Sequence, residues 1–348
     1  MIPLKKCAIV EQYDRERMKK QMKKISKGLF LSIAIAIIAT LLGNFFPIIG
    51  SAVFAIILGL LLNNTLTIPA DFQPGIKFSS KKILQASIVL LGFSLSIQDI
   101  KSTGLSSLSV TLITIAVAFM SAFLIGKWLK IPTNTTTLIG VGTAICGGSA
   151  IAAVSPIIEA DDDEIALSIS TIFLFNIVAV FLFPFLGHLL NLSDAGFGLW
   201  AGTAINDTSS VVAAGYSYSE AAGDYATIVK LTRATLIIPI SLIIAGIQVY
   251  KKKRLAEKVS LKQIFPWFIL WFLVASLISS TGVLPEAFIA TAKWLSRFMI
   301  AMALGSIGLS SNLKALLKTG KKPVLLGLAT WFFVALSSLL IQFIQGQL

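Results

Sequence analysis

Two stretches of the chain set glycine beside hydroxyl, thiol, amide and carboxyl groups in the middle of apolar sequence. The first, Gly142-Thr-Ala-Ile-Cys-Gly-Gly-Ser149, holds three glycines together with Thr143, Cys146 and Ser149. The second, Gly202-Thr-Ala-Ile-Asn-Asp-Thr-Ser209, opens with the same four residue types and then turns to Asn206, Asp207, Thr208 and Ser209. Neither makes a good continuous helix. Each glycine costs about 1 kcal/mol against alanine in a helix interior, and a central Asp costs about 2.5–3.5 kcal/mol on membrane insertion. In membrane proteins such costs mark functional sites. The chemistry they suit is anion binding. A helix broken at mid-depth exposes unpaired N–H groups and the positive end of its dipole, which hold anionic oxygens without a fixed charge. Gly147 and Gly148 would let backbone approach the ligand. Thr143, Cys146, Ser149, Asn206, Thr208 and Ser209 would line it, and Asp207 would take a sodium ion or a proton. The competing accounts are small-residue helix packing at Gly142–Ser149 and a polar clamp between helices at Asn206-Asp207.

Lys230 and Arg233 lie three residues apart in an apolar stretch and share a helix face. One reading has them snorkel to the membrane interface. The other has them supply positive charge to an anion or pair with Asp207, Arg being suited to oxyanions through its forked donors. Lys293 and Arg297 are weaker candidates of the same kind. The loop Glu159-Ala-Asp-Asp-Asp-Glu164 carries carboxylates for a divalent cation but lacks the spaced ligands and glycine of a calcium loop, so it reads as a solvated acidic face. With one histidine, His188, and two cysteines, Cys7 and Cys146, no Ser-His, Cys-His or metal constellation is visible, and an enzyme is not expected. No cofactor is expected beyond a coupling sodium ion or proton.

These residues must be positioned by membrane helices. The chain is 56% hydrophobic and 13% charged, against about 25% charged in soluble domains. Apolar runs fall at 28–47, 48–64, 82–98, 106–127, 136–158, 164–190, 196–215, 225–250, 264–283, 287–310 and 323–345, which predicts about eleven spans. The net charge of +13 sits between these runs and has no aromatic interleaving, so it reads as a topology signal rather than a nucleic-acid surface. Lysine and arginine crowd residues 1–27 and alternate loops after them, at Lys77–Lys82, Lys127–Lys130, Lys251–Arg254 and Lys314–Lys322. That alternation predicts a cytoplasmic basic arm over 1–27, a transmembrane domain over 28–348 and an external C-terminus. Residues 92–104 and 308–320 align without gaps, keeping Gly, Ser, Thr and Gly, and end spans of opposite direction. An inverted repeat produces such a pattern. The two glycine-rich motifs, by contrast, fall on spans predicted to run the same way, which excludes them as repeat mates of each other.

Leu90-Leu91-Gly92, Gly142–Ala153, Gly198-Leu-Trp-Ala-Gly202, Asn206-Asp207-Thr208 and Val229-Lys-Leu-Thr-Arg233 together resemble the YeiH-type sulfate exporter family of bacterial inner-membrane proteins. The resemblance runs from the first span to the C-terminus. That family is grouped with sodium/proton antiporters and bile-acid symporters. The resemblance therefore implies an all-α polytopic membrane protein with inverted repeats and crossed broken helices. It also implies a homodimer, and secondary transport of a small anion such as sulfate, sulfite or a sulfonate. One position departs from the family pattern: Asn206 stands where a histidine usually precedes the Asp. A proton relay through that histidine is unavailable, so proton coupling would need Asp207 or another group.

Overall fold

A computed structural model describes residues 25–46, 50–252, 266–311 and 320–348. Most of the basic arm, Cys7, the cluster after Lys252 and most of the second repeat-like segment (312–319) lie outside the described residues. Among those described, the chain is all-helical. The helices are α1 (Ile25–Phe45), α2 (Gly50–Thr65), α3 (Ala70–Gly92), α4 (Ile97–Ser106), α5 (Leu108–Trp128), α6 (Thr133–Ala144), α7 (Gly148–Ile158) and α8 (Asp162–Leu189). There follow α9 (Asp194–Ala204), α10 (Thr208–Tyr218), α11 (Glu220–Thr235), α12 (Ile237–Lys252), α13 (Trp267–Ser280), α14 (Glu286–Ser310) and α15 (Lys321–Gln345).

The chain divides into two compact units. One comprises residues up to Ile88 and Trp294–Asn312. Its helices approach at small residues, as membrane helices do in the absence of a hydrophobic driving force. A Cβ on Gly59 would lie 2.9 Å from Gly308 Cα, and one on Gly28 would lie 2.8 Å from Gly75 Cα. Ser306 donates to Ser32 at 2.7 Å, so the buried hydroxyls satisfy each other.

The other unit comprises Val89–Lys293 and Leu313–Leu348 and holds both glycine-rich motifs. Its organising element is α8, 28 residues long, or about 42 Å. A capping box between Asp161 and Glu164 starts it, and Asn134 donates to the same Glu164 at 3.0 Å. The acidic loop therefore serves as a helix cap. Among the described residues no group of three or more His, Cys, Asp or Glu is placed to hold a metal.

Hydropathy predicts crossings at 136–158 and 196–215; the structure turns back at both. Asn134 meets Glu164, and a Cβ on Gly142 would lie 2.9 Å from Ile172 Cγ1, so α6 runs parallel to the first half of α8. The same Cβ would lie 3.1 Å from Ile151 Cδ1, which brings α7 back alongside α6. Residues 133–158 are a hairpin that enters and leaves at the end marked by Lys130 and Lys322, whose side chains line one cavity with Asp163 and Glu164. Residues 194–218 form the opposite hairpin. Gly198 packs on Tyr225 and Gly202 on Val229, so α9 runs parallel to α11; Gly215 packs on Gly223, so α10 runs antiparallel to it. The legs meet again at the base, where Ser219 donates to Asp194 at 2.6 Å and Tyr218 stacks on Phe197 at 4.0 Å.

These reversals bear on the span count. Six described helices are long and apolar enough to cross a membrane: α1, α5, α8, Glu220–Gln248, α14 and α15. A seventh span results if α3 and α4, bent by 110°, are one. The molecule is a polytopic membrane protein, and two of the expected eleven spans are re-entrant hairpins. Two reversals leave the parity of every later crossing unchanged. That is why the basic loops alternate as though both hairpins crossed, and why the motifs seem to run the same way when they enter from opposite ends.

Helix α15 braces the second hairpin. Trp200 Nε1 donates to the Ala335 carbonyl at 3.0 Å, and the buried hydroxyls of Thr203 and Ser338 lie 2.7 Å apart.

Candidate functional site

The hairpin tips meet halfway along α8. At the first tip α6 stops at Ala144, and Gly147 restarts the chain as α7 with φ 67° and ψ −133°. An L-residue rarely adopts that conformation, so glycine is required here. A Cβ at Gly147 would also lie 3.3 Å from Asp207 Cβ, so the tips are in contact. No side chain caps α7. Nothing lies within 4 Å of a Cβ built on Gly148, and Ser149 beside it is exposed. The side-chain positions of Gly148 and Ser149 thus face open space at the positive end of a helix dipole.

The second tip is built differently. Past Ala204 the chain bends through Ile205, Asn206 and Asp207, with Ile205 and Asp207 extended. Asp207 caps α10: its Oδ2 accepts from the Ser209 amide at 3.1 Å and from the Ser209 hydroxyl. The Asp207 amide donates to Asn176 Oδ1 at 3.1 Å. Asp207 and Thr208 are half-buried. A carboxylate at a helix N-terminus satisfies orphan donors and complements the dipole, so this start is already occupied by the chain's own anion.

Lys230 and Arg233 are fully buried, which excludes snorkelling. Lys230 Nζ donates to the carbonyls of Ile145 and Ile205, each at 2.8 Å, one on either tip. Arg233 donates through Nε to Ala144 at 2.6 Å and through Nη2 to Thr143 at 3.0 Å. These carbonyls close the inbound legs α6 and α9, where helix dipoles concentrate negative charge and carbonyls lack helical partners. Lys230 therefore ties the two tips together and Arg233 holds the first tip to α11; the expectation of direct pairing with Asp207 gives way to hydrogen bonds with main-chain oxygens. Irregular backbone at membrane depth persists only where protein or a cavity covers it. Here Ile145, Cys146, Ile205 and Asn206 are all buried.

Some polar atoms at the tips stay unsatisfied. Both side-chain atoms of Asn206, Thr143 Oγ1 and Arg233 Nη1 are buried and have no hydrogen-bond partner. Buried polar groups are nearly always paired, so each orphan is a place where a ligand or water belongs.

Comparison with known proteins gives this geometry a family. Residues 27–327 match the family model described as conserved hypothetical protein 698. The chain belongs to that family. A UPF0324 membrane protein of Streptococcus mutans is 48% identical over 332 residues, covering 92% of this chain and 97% of the relative. UPF0324 membrane protein FN0533 of Fusobacterium nucleatum is 46% identical over 341 residues, covering 92% and 98%. A UPF0324 membrane protein of Clostridium tetani is 42% identical over 341 residues, covering 94% and 99%. The match takes in both hairpins, α8 and α11 together, so the family model covers the whole of the candidate site.

In this family member the structure brings together Thr143, Cys146, Gly147, Asn206, Asp207, Ser209, Lys230 and Arg233, with Gly148, Ser149 and Thr208 on the first turns leading away. Cys146 is a buried free thiol. Lys293 is elsewhere: it pairs with Glu220 at the start of α11, ten residues and about 15 Å of helix from Lys230. His188 stacks on Tyr218 at the base of the second hairpin. Sequence reasoning missed Asn176. Its signal was present, a single amide in the apolar run Phe173-Leu-Phe-Asn-Ile-Val-Ala-Val180, and a lone polar group at mid-membrane is expected to be functional.

Proposed function

We propose that this chain is a secondary transporter of a small anion, moving it outward by alternating access. The observation that carries this reading is the meeting of two opposed re-entrant hairpins at Gly147 and Asp207, with Lys230 and Arg233 buried behind both tips. An uncapped helix start close to buried Lys230 and Arg233 is a site for an oxyanion. On this reading the Gly148 and Ser149 amides, the Ser149 hydroxyl and the groups at Thr143, Cys146, Asn206, Thr208 and Ser209 surround the anion. Lys230 and Arg233 contribute attraction from behind. Asp207 takes the coupling sodium ion or proton. Resemblance to the sulfate exporter family suggests sulfate, sulfite or a sulfonate as cargo. The opposed hairpins are the halves of an inverted repeat, and the transporter works as a homodimer in the bacterial inner membrane with its N-terminus in the cytoplasm and its C-terminus outside.

The test is reconstitution. Proteoliposomes should take up labelled sulfate or sulfite saturably, driven by a sodium or proton gradient, and Asp207→Asn should uncouple the flux from that gradient. Flux no greater than in empty liposomes for every anion and gradient tried would sink the reading. A half-buried carboxylate at the tip also favours a second one, sodium/proton exchange centred on Asp207. That reading predicts sodium-driven pH changes in vesicles with no transportable anion present. A channel instead predicts passive, unsaturable conductance in a planar bilayer.

A further inference from the structure

We propose that Asn206 reads the protonation state of the bound anion, and that the site takes a small monoprotonated oxyanion, one carrying both a hydroxyl and a charged oxygen. The inference rests on the anion reading above and narrows its substrate class.

The hydrogen-bond inventory supports it. Asn206 is 1% exposed, and its Nδ2 and Oδ1 both lack partners. Its neighbours place it between the tips: the Ile205 carbonyl shares Lys230 Nζ with Ile145, and Asp207 packs against Gly147. An amide offers a donor and an acceptor side by side. A single small oxyanion that satisfies both presents an acceptor oxygen to Nδ2 and a hydroxyl to Oδ1. A fully deprotonated oxyanion fills only the donor. It leaves Oδ1 buried, unsatisfied and facing oxygen lone pairs, the costly case for a polar group away from water. The other orphans at the tips, Arg233 Nη1 and Thr143 Oγ1, are held near each other because Arg233 Nη2 already binds the Thr143 carbonyl.

The hydrogen-bond inventory thus points to a hydrogen-oxyanion of the hydrogencarbonate or hydrogensulfite type, ahead of sulfate.

The experiment uses purified full-length protein in detergent at neutral pH. Its thermal unfolding is followed in sodium hydrogencarbonate, sodium nitrate and sodium sulfate at matched ionic strength. Nitrate is a monoanion without a donor, and sulfate a dianion without one. A ligand that prefers the native state raises the midpoint by mass action. Hydrogencarbonate is expected to stabilise, with nitrate and sulfate needing about tenfold or higher concentration for the same shift, because a site built around a hydroxyl rejects analogues that lack it. Asn206→Leu should abolish the hydrogencarbonate shift, and Asn206→Asp should remove the preference. Equal shifts from all three salts, or a larger one from sulfate, would overturn the Asn206 inference while leaving the anion reading standing. No shift from any salt would overturn both. If the Asn206 variants do not fold, the three-salt comparison on the unaltered protein decides by itself.

Discussion

The two hairpin tips begin with the same four residue types and end as opposites. Both inbound legs terminate in carbonyls held by buried cations, Thr143 and Ala144 on Arg233, and Ile145 and Ile205 on Lys230. The outbound legs differ. Helix α7 starts at Gly147, uncapped and facing open space, whereas α10 starts at Asp207, whose carboxylate fills its own helix start. One tip has room for an external anion and the other carries an internal one. Two helix starts of the same polarity, brought together in one buried place, need not have the same occupant; a single side chain decides which is free.

Substitutions that separate the shared feature from the differing one sharpen this comparison. Lys230→Met removes the bond common to both tips and should have the largest effect. Two buried carbonyls lose their partner at about 1–3 kcal/mol each, so the unfolding midpoint in detergent should fall further than in any other variant here. Cys146 should also become reactive toward a thiol reagent in a Cys7→Ser background. Unchanged labelling of Cys146 would mean that Lys230 does not hold the tips closed. Gly147→Ala follows. It forces an L-residue into a glycine conformation and toward Asp207, at about 1–3 kcal/mol, and the midpoint should drop accordingly. Asn176→Leu strands the Asp207 amide that α8 satisfies and should cost about 1–2 kcal/mol; hydrogen exchange should rise at the start of α10 and not at that of α7. Asp207→Asn keeps a capping side chain but removes the charge, so it should cost about 0.5–1 kcal/mol. Gly148→Ala is the smallest in stability, within about 0.5 kcal/mol, since its Cβ meets nothing. Its effect should appear instead as weaker anion-dependent stabilisation. A large stability loss there would show the first tip to be as closed as the second.

Much of the site was legible before the fold. Glycines, hydroxyls and an Asn-Asp pair in apolar sequence announce broken helices, because each is costly in a membrane helix. Lys230 and Arg233 stand out for the same reason. What they touch was not legible: they hold main-chain oxygens of residues 25 to 90 positions away, and a carbonyl has no residue type to read. Asn176 escaped notice because one amide in 28 residues barely alters the hydropathy of α8, although it lies beside the second tip.

Composition and hydropathy determined by themselves that this is a helical membrane protein and where its apolar segments lie. Each of those is a property of segments read one at a time. Only the tertiary structure decided that 133–158 and 194–218 turn back rather than cross. An apolar run of crossing length has the same hydropathy whether it spans or folds on itself, and two reversals restore the charge alternation that would have exposed one. The contacts of Asn134 with Glu164 and of Tyr218 with Phe197 distinguish the two cases, and such contacts exist only once the helices pack.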